Sequence, residues 1–129
     1  MFRCSRVLLS ALRPVKASTG ITGLAVHPDP LPELLSTYKS TLSILSSFPA
    51  ESVYRQATEA ILKHRSEIVE KAAGDVAVVE KQIDAGQIEE VLDVAKDELT
   101  LAGKMLEWKP WEPLQAKPDP GQWRYFETE

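Results

Sequence analysis

Between two clusters of proline, apolar residues recur at three- and four-residue steps, the period of an amphipathic helix. Pro28, Pro30 and Pro32 precede the periodic region, Pro110, Pro113, Pro118 and Pro120 follow it, and Pro49 lies inside it. Proline lacks a backbone donor and resists helix interiors, so these positions mark boundaries. The spacing predicts a first helix over 31–48, with Leu31, Leu35, Tyr38, Leu42 and Leu45 on one stripe. Asp29 or Pro30 can start it and Pro49 stops it. A second helix runs from the N-cap Ser52 to about residue 73, its stripe being Val53, Ala57, Ile61, His64 or Leu62, Ile68 and Ala72. Glu59 with Lys63 and Glu67 with Lys71 are favourably oriented exposed pairs on it. Gly74 is its stop signal.

Asp75 then caps a short helix with Val76, Val79 and Ile83 on one side, ended by Gly86. The last helix, over 87–107, carries the cleanest stripe: Ile88, Val91, Leu92, Ala95, Leu99, Ala102 and Leu106. No window alternates at period two, so there is no strand signal. The connections are short, and neighbouring helices joined by short loops run antiparallel. The expected fold is all-α: an antiparallel three-helix bundle with a short connecting helix and an extended C-terminal tail rich in Trp and Pro.

That tail, residues 108–129, holds all three tryptophans, Trp108, Trp111 and Trp123, with Tyr125 and Phe126 beside the last. Its four prolines prevent a helix. Tryptophan offers a large apolar area and one donor, the profile of an interface anchor. Trp108, Trp111 and Trp123 are therefore candidate contact residues, with Glu112, Pro113 and Leu114 beside them. For Trp108, closure of the protein's own core and contact with a partner are equal readings; for Trp123 the partner is favoured.

Charge divides the chain. Its net charge of −4 over 129 residues conceals a front of residues 1–18 with Arg3, Arg6, Arg13 and Lys16 and no acid. The remaining residues carry eleven cations against nineteen acids, a net charge of −8. An acidic body repels phosphate backbones, which argues against nucleic-acid binding. The front is Arg-rich and Ser-containing, and Leu8, Leu12 and Val15 would share one helix face until Pro14 disturbs the turn. This is the composition of a mitochondrial targeting segment, cleaved or kept as an arm. No apolar run approaches the roughly 20 residues that cross a bilayer. The domains expected are thus 1–18 as the basic segment, 19–107 as the bundle and 108–129 as an interaction tail.

Candidate chemistry is sparse. A single cysteine, Cys4, and two distant histidines, His27 and His64, give no disulfide framework and a poor metal site. Thr19-Gly20-Ile21-Thr22-Gly23 is a glycine turn without the Gly-Lys-Ser/Thr of a phosphate loop. Glu89, Asp93 and Asp97 are four apart and would share a face of the last helix. Without a cleft to separate their pKa values, they read as a solvated or partner-facing acidic surface rather than an acid–base pair. No catalytic, cofactor-binding or metal-binding residue is assigned, and the chain reads as no enzyme.

The stretch Thr19-Gly20-Ile21-Thr22-Gly23-Leu24-Ala25-Val26 resembles the opening of the alpha-subcomplex subunit 5 family of mitochondrial NADH:ubiquinone oxidoreductase, respiratory complex I. Gly86-Gln87-Ile88-Glu89-Glu90-Val91, Glu98-Leu99-Thr100-Leu101-Ala102 and Lys104-Met105 are similar to the family's last helix. Glu107-Trp108-Lys109-Pro110-Trp111-Glu112-Pro113-Leu114 resembles its most specific element, and Gln122-Trp123 its terminal segment. The likeness is collinear over residues 19–124. It implies a non-catalytic accessory subunit of the peripheral arm, on the matrix side of the mitochondrial inner membrane. It also implies a hetero-oligomer with other complex I subunits, especially the core subunit called iron–sulfur protein 3, and no redox cofactor of its own. The reading from another class is a free matrix helical adaptor or assembly chaperone, which binds transiently and leaves.

Overall fold

A computed structural model of the protein describes residues 16–122 and 124. Four helices make up its regular structure: α1 Pro30–Leu45, α2 Val53–Lys71, α3 Val76–Ile83 and α4 Ile88–Trp108. No strand occurs among the described residues. The all-α expectation holds. The targeting segment, apart from residues 16–18, lies outside the described residues, as do Trp123, Tyr125 and Phe126.

Local chemistry explains most boundaries. Pro30 and Pro32 sit in the first turn of α1, where a missing backbone donor costs nothing. α1 ends at Leu45, before the residue 48 expected, because Ser46, Ser47 and Phe48 turn back to Leu42, Ile44 and Leu45 through backbone bonds of 3.0–3.1 Å. Phe48 therefore enters the core from a loop. The Ser52 hydroxyl accepts from the Arg55 N–H at the start of α2. The Asp75 carboxylate accepts from the Ala77 and Val78 N–H groups at 3.0 and 3.4 Å and starts α3. α4 opens with a reciprocal cap between Gln87 and Glu90.

The core gathers Leu31, Leu34, Tyr38 and Leu45 of α1, Leu62 and Val69 of α2, Val79 of α3, and Ile88, Val91, Leu92 and Ala95 of α4, with Phe48. α1 packs most extensively on α4 and next on α2, while α3 contacts both α2 and α4. Three stripes differ from their expectation. On α1, Leu34 and Thr41 are buried while Leu35 and Leu42 lie at the margin. On α2 the buried set is Thr58, Leu62, Ile68 and Val69, whereas Val53 is 78% and Ile61 52% exposed. Leu62 and Ile68 of the expected stripe are thus buried and Ala72 packs at the core's margin, while Leu62 and Val69, seven residues apart, mark the face that meets the core. On α4, Met105 packs on the core and Leu106 stays exposed.

Candidate functional site

Residues 16–27, ahead of α1, are tied to the start of α4. Thr19 is buried, and its hydroxyl donates to the Leu24 carbonyl at 2.7 Å while accepting from the Ile21 N–H at 3.2 Å. Gly20 and Gly23, at φ +74° and +86°, supply the left-handed turns between. The Gln87 amide donates to the Thr19 carbonyl at 2.7 Å, which seats this turn on α4. The glycine turn is thus a structural joint that spends its polar groups on itself and on Gln87.

Beside it the Lys16 ammonium donates to Glu89 at 2.5 Å and to Gln87 at 2.8 Å, with Glu80 at 3.9 Å. Glu89 is only 3% exposed. Its second oxygen accepts from the His27 N–H at 3.4 Å. Burial alone would raise the Glu89 carboxyl, but the Lys16 bond, the backbone donors and the Lys16 charge together hold it below its ordinary value. Glu89 therefore does not share the solvated acidic face expected of it; Asp93 and Asp97 remain exposed. A second bridge lies nearby: the Glu33 carboxylate receives Lys96 at 2.7 Å and His27 at 2.6 Å, joining α1, α4 and the entry loop.

At the other end of α4 the tail turns sharply. Lys109 adopts φ +50° and closes the helix through its N–H to Met105. This swings Trp111 onto Phe48, ring centres 5.0 Å apart and edge to face. Tyr54 lies 5.8 Å from Phe48 and donates its phenol proton to Glu98 on α4. Burial, reinforced by the Glu98 carboxylate, pushes the Tyr54 phenol well above its ordinary value. Pro49, Glu51, Tyr54, Met105, Pro110 and Trp111 line an open cleft of about 410 Å³ here.

The expected tryptophan anchors thus divide. Trp111 is half-buried and closes the protein's own core, while Trp108, one turn earlier, is 64% exposed. Glu112 pairs loosely with Lys109 at 3.6 Å, and Pro113 and Leu114 are exposed. Trp123 lies outside the described residues. Sequence reasoning missed Lys16, Gln87, Phe48 and Tyr54 as organising residues. Lys16 was hidden by its place in the basic front, and Tyr54 and Glu98 are too distant in sequence for any periodicity to pair them. Among the described residues no group of three or more His, Cys, Asp and Glu side chains is placed to hold a metal ion. No described helix is long and apolar enough to cross a membrane.

Residues 23–90 match the family model described as "ETC complex I subunit conserved region". The chain is 44% identical over 111 residues to the mouse NADH dehydrogenase [ubiquinone] 1 alpha subcomplex subunit 5, covering 86% of this chain and 95% of the relative. It is 47% identical over 109 residues to the Candida albicans alpha subcomplex subunit MCI4, covering 84% and 78% respectively. With an Arabidopsis thaliana protein named as the probable mitochondrial subunit 5 it shares 41% identity over 100 residues, 78% of this chain and 59% of that one.

Proposed function

Because the chain belongs to the alpha subcomplex subunit 5 family of respiratory complex I, we propose that it is a non-catalytic accessory subunit of that complex in mitochondria. In this reading it supports assembly and stability of the matrix-facing peripheral arm, bound to the core subunit iron–sulfur protein 3. The observation that carries the proposal is the match across nearly the whole of the mouse relative, which is named as an alpha subcomplex subunit of the ubiquinone-linked NADH dehydrogenase. The "mitochondrial" in the plant relative's name supports the compartment. We read the three long helices as an antiparallel bundle joined through α3, with residues 19–107 as the rigid body and 108–129 as a tail that reaches a neighbour. The basic residues 1–18 address the chain to mitochondria, where the membrane potential draws cations inward.

Trp108, Leu114 and Trp123 are the tail contacts we assign to the partner, with Glu112 and Pro113 setting their spacing. Asp93 and Asp97 supply the acidic surface. Trp111 contributes by fixing the direction in which the tail leaves α4. No residue handles electrons or protons for the reaction between NADH and ubiquinone.

Native-gel fractionation of mitochondria that carry a tagged chain tests the proposal. The chain should co-migrate with active complex I, and truncation after Leu106 should abolish co-migration. A full-length chain that fractionates wholly apart from the enzyme would identify a transient matrix adaptor or chaperone instead.

A further inference from the structure

α4 is apolar on two sides. One side, Ile88, Val91, Leu92, Ala95 and Ala102, is buried in the protein's own core. On the other, Val94, Leu101 and Trp108 recur at seven-residue intervals, and Val94 is 56% and Leu101 39% exposed. Seven residues fall about 20° short of two full turns, so the three side chains form one nearly straight line. At a rise of about 1.5 Å per residue, that line is about 21 Å long. No described residue covers it.

Its margin is acidic. Asp93 and Asp97 follow the line on one side and are exposed. The cations that could neutralise them are engaged elsewhere: Lys96 at 2.7 Å from Glu33, and Lys104 at 3.3 Å from Glu107. Asp93 adds to the field at Lys96, while Asp97 forms no ion pair among the described residues. A heptad line of one small, one medium and one large apolar residue is the surface against which another helix packs, ridge into groove. Burying such a line beside Asp97, which has no ion-pair partner among the described residues, and Asp93, which Lys96 answers only at a distance, is favourable only if the occupant brings cations to them. The same carboxylates repel an anionic lipid surface.

We propose that the Val94–Leu101–Trp108 line of α4 docks a basic amphipathic helix of a neighbouring polypeptide, whose Lys or Arg residues meet Asp93 and Asp97. This rests on membership of the assembled complex and adds the surface and the chemistry of its occupant. The test places a photoreactive amino acid at position 94 or 101 of the full chain, then irradiates purified complex I. Position 61, on the exposed side of α2, serves as the comparison.

Positions 94 and 101 should cross-link to one helical segment of another subunit, with apolar residues at helical spacing and a clear excess of Lys and Arg. Yield at 61 onto that segment should be at least about tenfold lower. Asp93→Lys with Asp97→Lys should cut cross-linking and incorporation by about tenfold or more while the isolated chain keeps its melting temperature. Cross-linking to a second copy of this chain, or to an acidic or non-helical segment, overturns the proposal. So does a chain that co-purifies with complex I yet yields no product from 94 or 101. A chain absent from purified complex I would instead defeat the functional reading on which the proposal stands.

Discussion

Lys16 and Glu89 meet at 2.5 Å although 73 positions separate them, and the Glu89 carboxylate is almost wholly withdrawn from water. A buried carboxylate is tolerated only where its charge is answered, and removing its cation strands it. Lys16→Gln should destabilise the chain by about 1–2 kcal/mol, less than a fully buried pair would cost because the Lys16 side chain is partly exposed. Adding Glu89→Gln should recover part of the loss, since two neutral amides can still bond. Urea unfolding of the two single variants and the double variant measures this coupling; strictly additive losses would show that the pair does not interact.

The same pair sets an acid limit. Glu89 and Glu33 both lie below their ordinary carboxyl value, Glu89 despite its burial and Glu33 chiefly through its bond to Lys96. A carboxyl held low in the folded state contributes stability above its unfolded pKa and loses it as pH falls through the folded one. The contribution should therefore be complete above about pH 5 and should fade below about pH 4.5, near the ordinary glutamate value. Melting temperatures of the wild type and Glu89→Gln, compared from pH 7 down to pH 3, should differ most near neutrality and converge in acid. A gap that widens in acid would reverse the sign and defeat the argument.

How far the sequence foretold this arrangement depended on whether the information was local. The capping by Ser52 and Asp75, the proline start of α1 and the Glu59–Lys63 and Glu67–Lys71 pairs all lie within a few residues of their causes, and the structure forms each of them, whereas α1 stops at Leu45, short of the boundary expected at Pro49. On α2 the expected Leu62 and Ile68 are buried, but Val53, Ala57 and Ile61, which repeat as regularly as Thr58 and Leu62, face solvent. Periodicity reports that a helix has an apolar face, while tertiary packing decides which of two faces is used. Glu89 was placed with Asp93 and Asp97 for the same reason. Four-residue spacing aligned the three carboxylates, and only the arrival of Lys16 and the His27 N–H from far upstream separates the first from the others.

Gly86 joins the short α3 to α4 at φ +89°, a conformation that costs glycine little and other residues more. A Cβ there would stand 2.5 Å from the Glu90 carboxylate oxygen, the group that caps the Gln87 N–H at 2.8 Å. Gly86→Ala should therefore cost about 1–2 kcal/mol, from backbone strain and from displacement of the cap. Thermal unfolding checks the size. Glu90→Ala made in the same background should then cost less than it does in the wild type, because its bond is already weakened. An unchanged melting temperature for Gly86→Ala would show that the cap shifts without penalty.

Tyr54 and Glu98 join α2 to α4 beside the aromatic cluster. Burial and the carboxylate raise the Tyr54 phenol, and burial raises Tyr38 against the opposing charge of Arg65. Among the chain's three tyrosines, these two should ionise above pH 10 in the folded state. Ultraviolet titration of phenolate absorbance would show them as a late phase, and Tyr54→Phe should remove one tyrosine from that phase. It should also destabilise the chain by about 1 kcal/mol, the ordinary net worth of a hydrogen bond, with a larger loss offset by partial exposure. If the late phase keeps its amplitude in Tyr54→Phe, the Glu98 contact does not hold the proton.

The two neighbouring tryptophans allow fold and assembly to be separated by single substitutions. Trp111 lies edge-on to Phe48 and covers the core, so Trp111→Ala removes buried apolar area and an aromatic pair. It should lower stability by about 2–3 kcal/mol, less than a fully buried aromatic because one side of the ring remains open to the cleft. Trp108 projects from the last turn of α4 into solvent, where truncation should change stability by no more than about 0.5 kcal/mol. If Trp108 is a partner anchor, Trp108→Ala should instead reduce incorporation into complex I on a native gel, with the melting temperature of the isolated chain unaltered. Trp111→Ala should do the reverse in order of severity, and its incorporation defect should shrink when mitochondria are grown at lower temperature. Equal loss of stability in both variants would mean that Trp108 belongs to the core, and the assignment of the exposed end of α4 to a partner would have to be withdrawn.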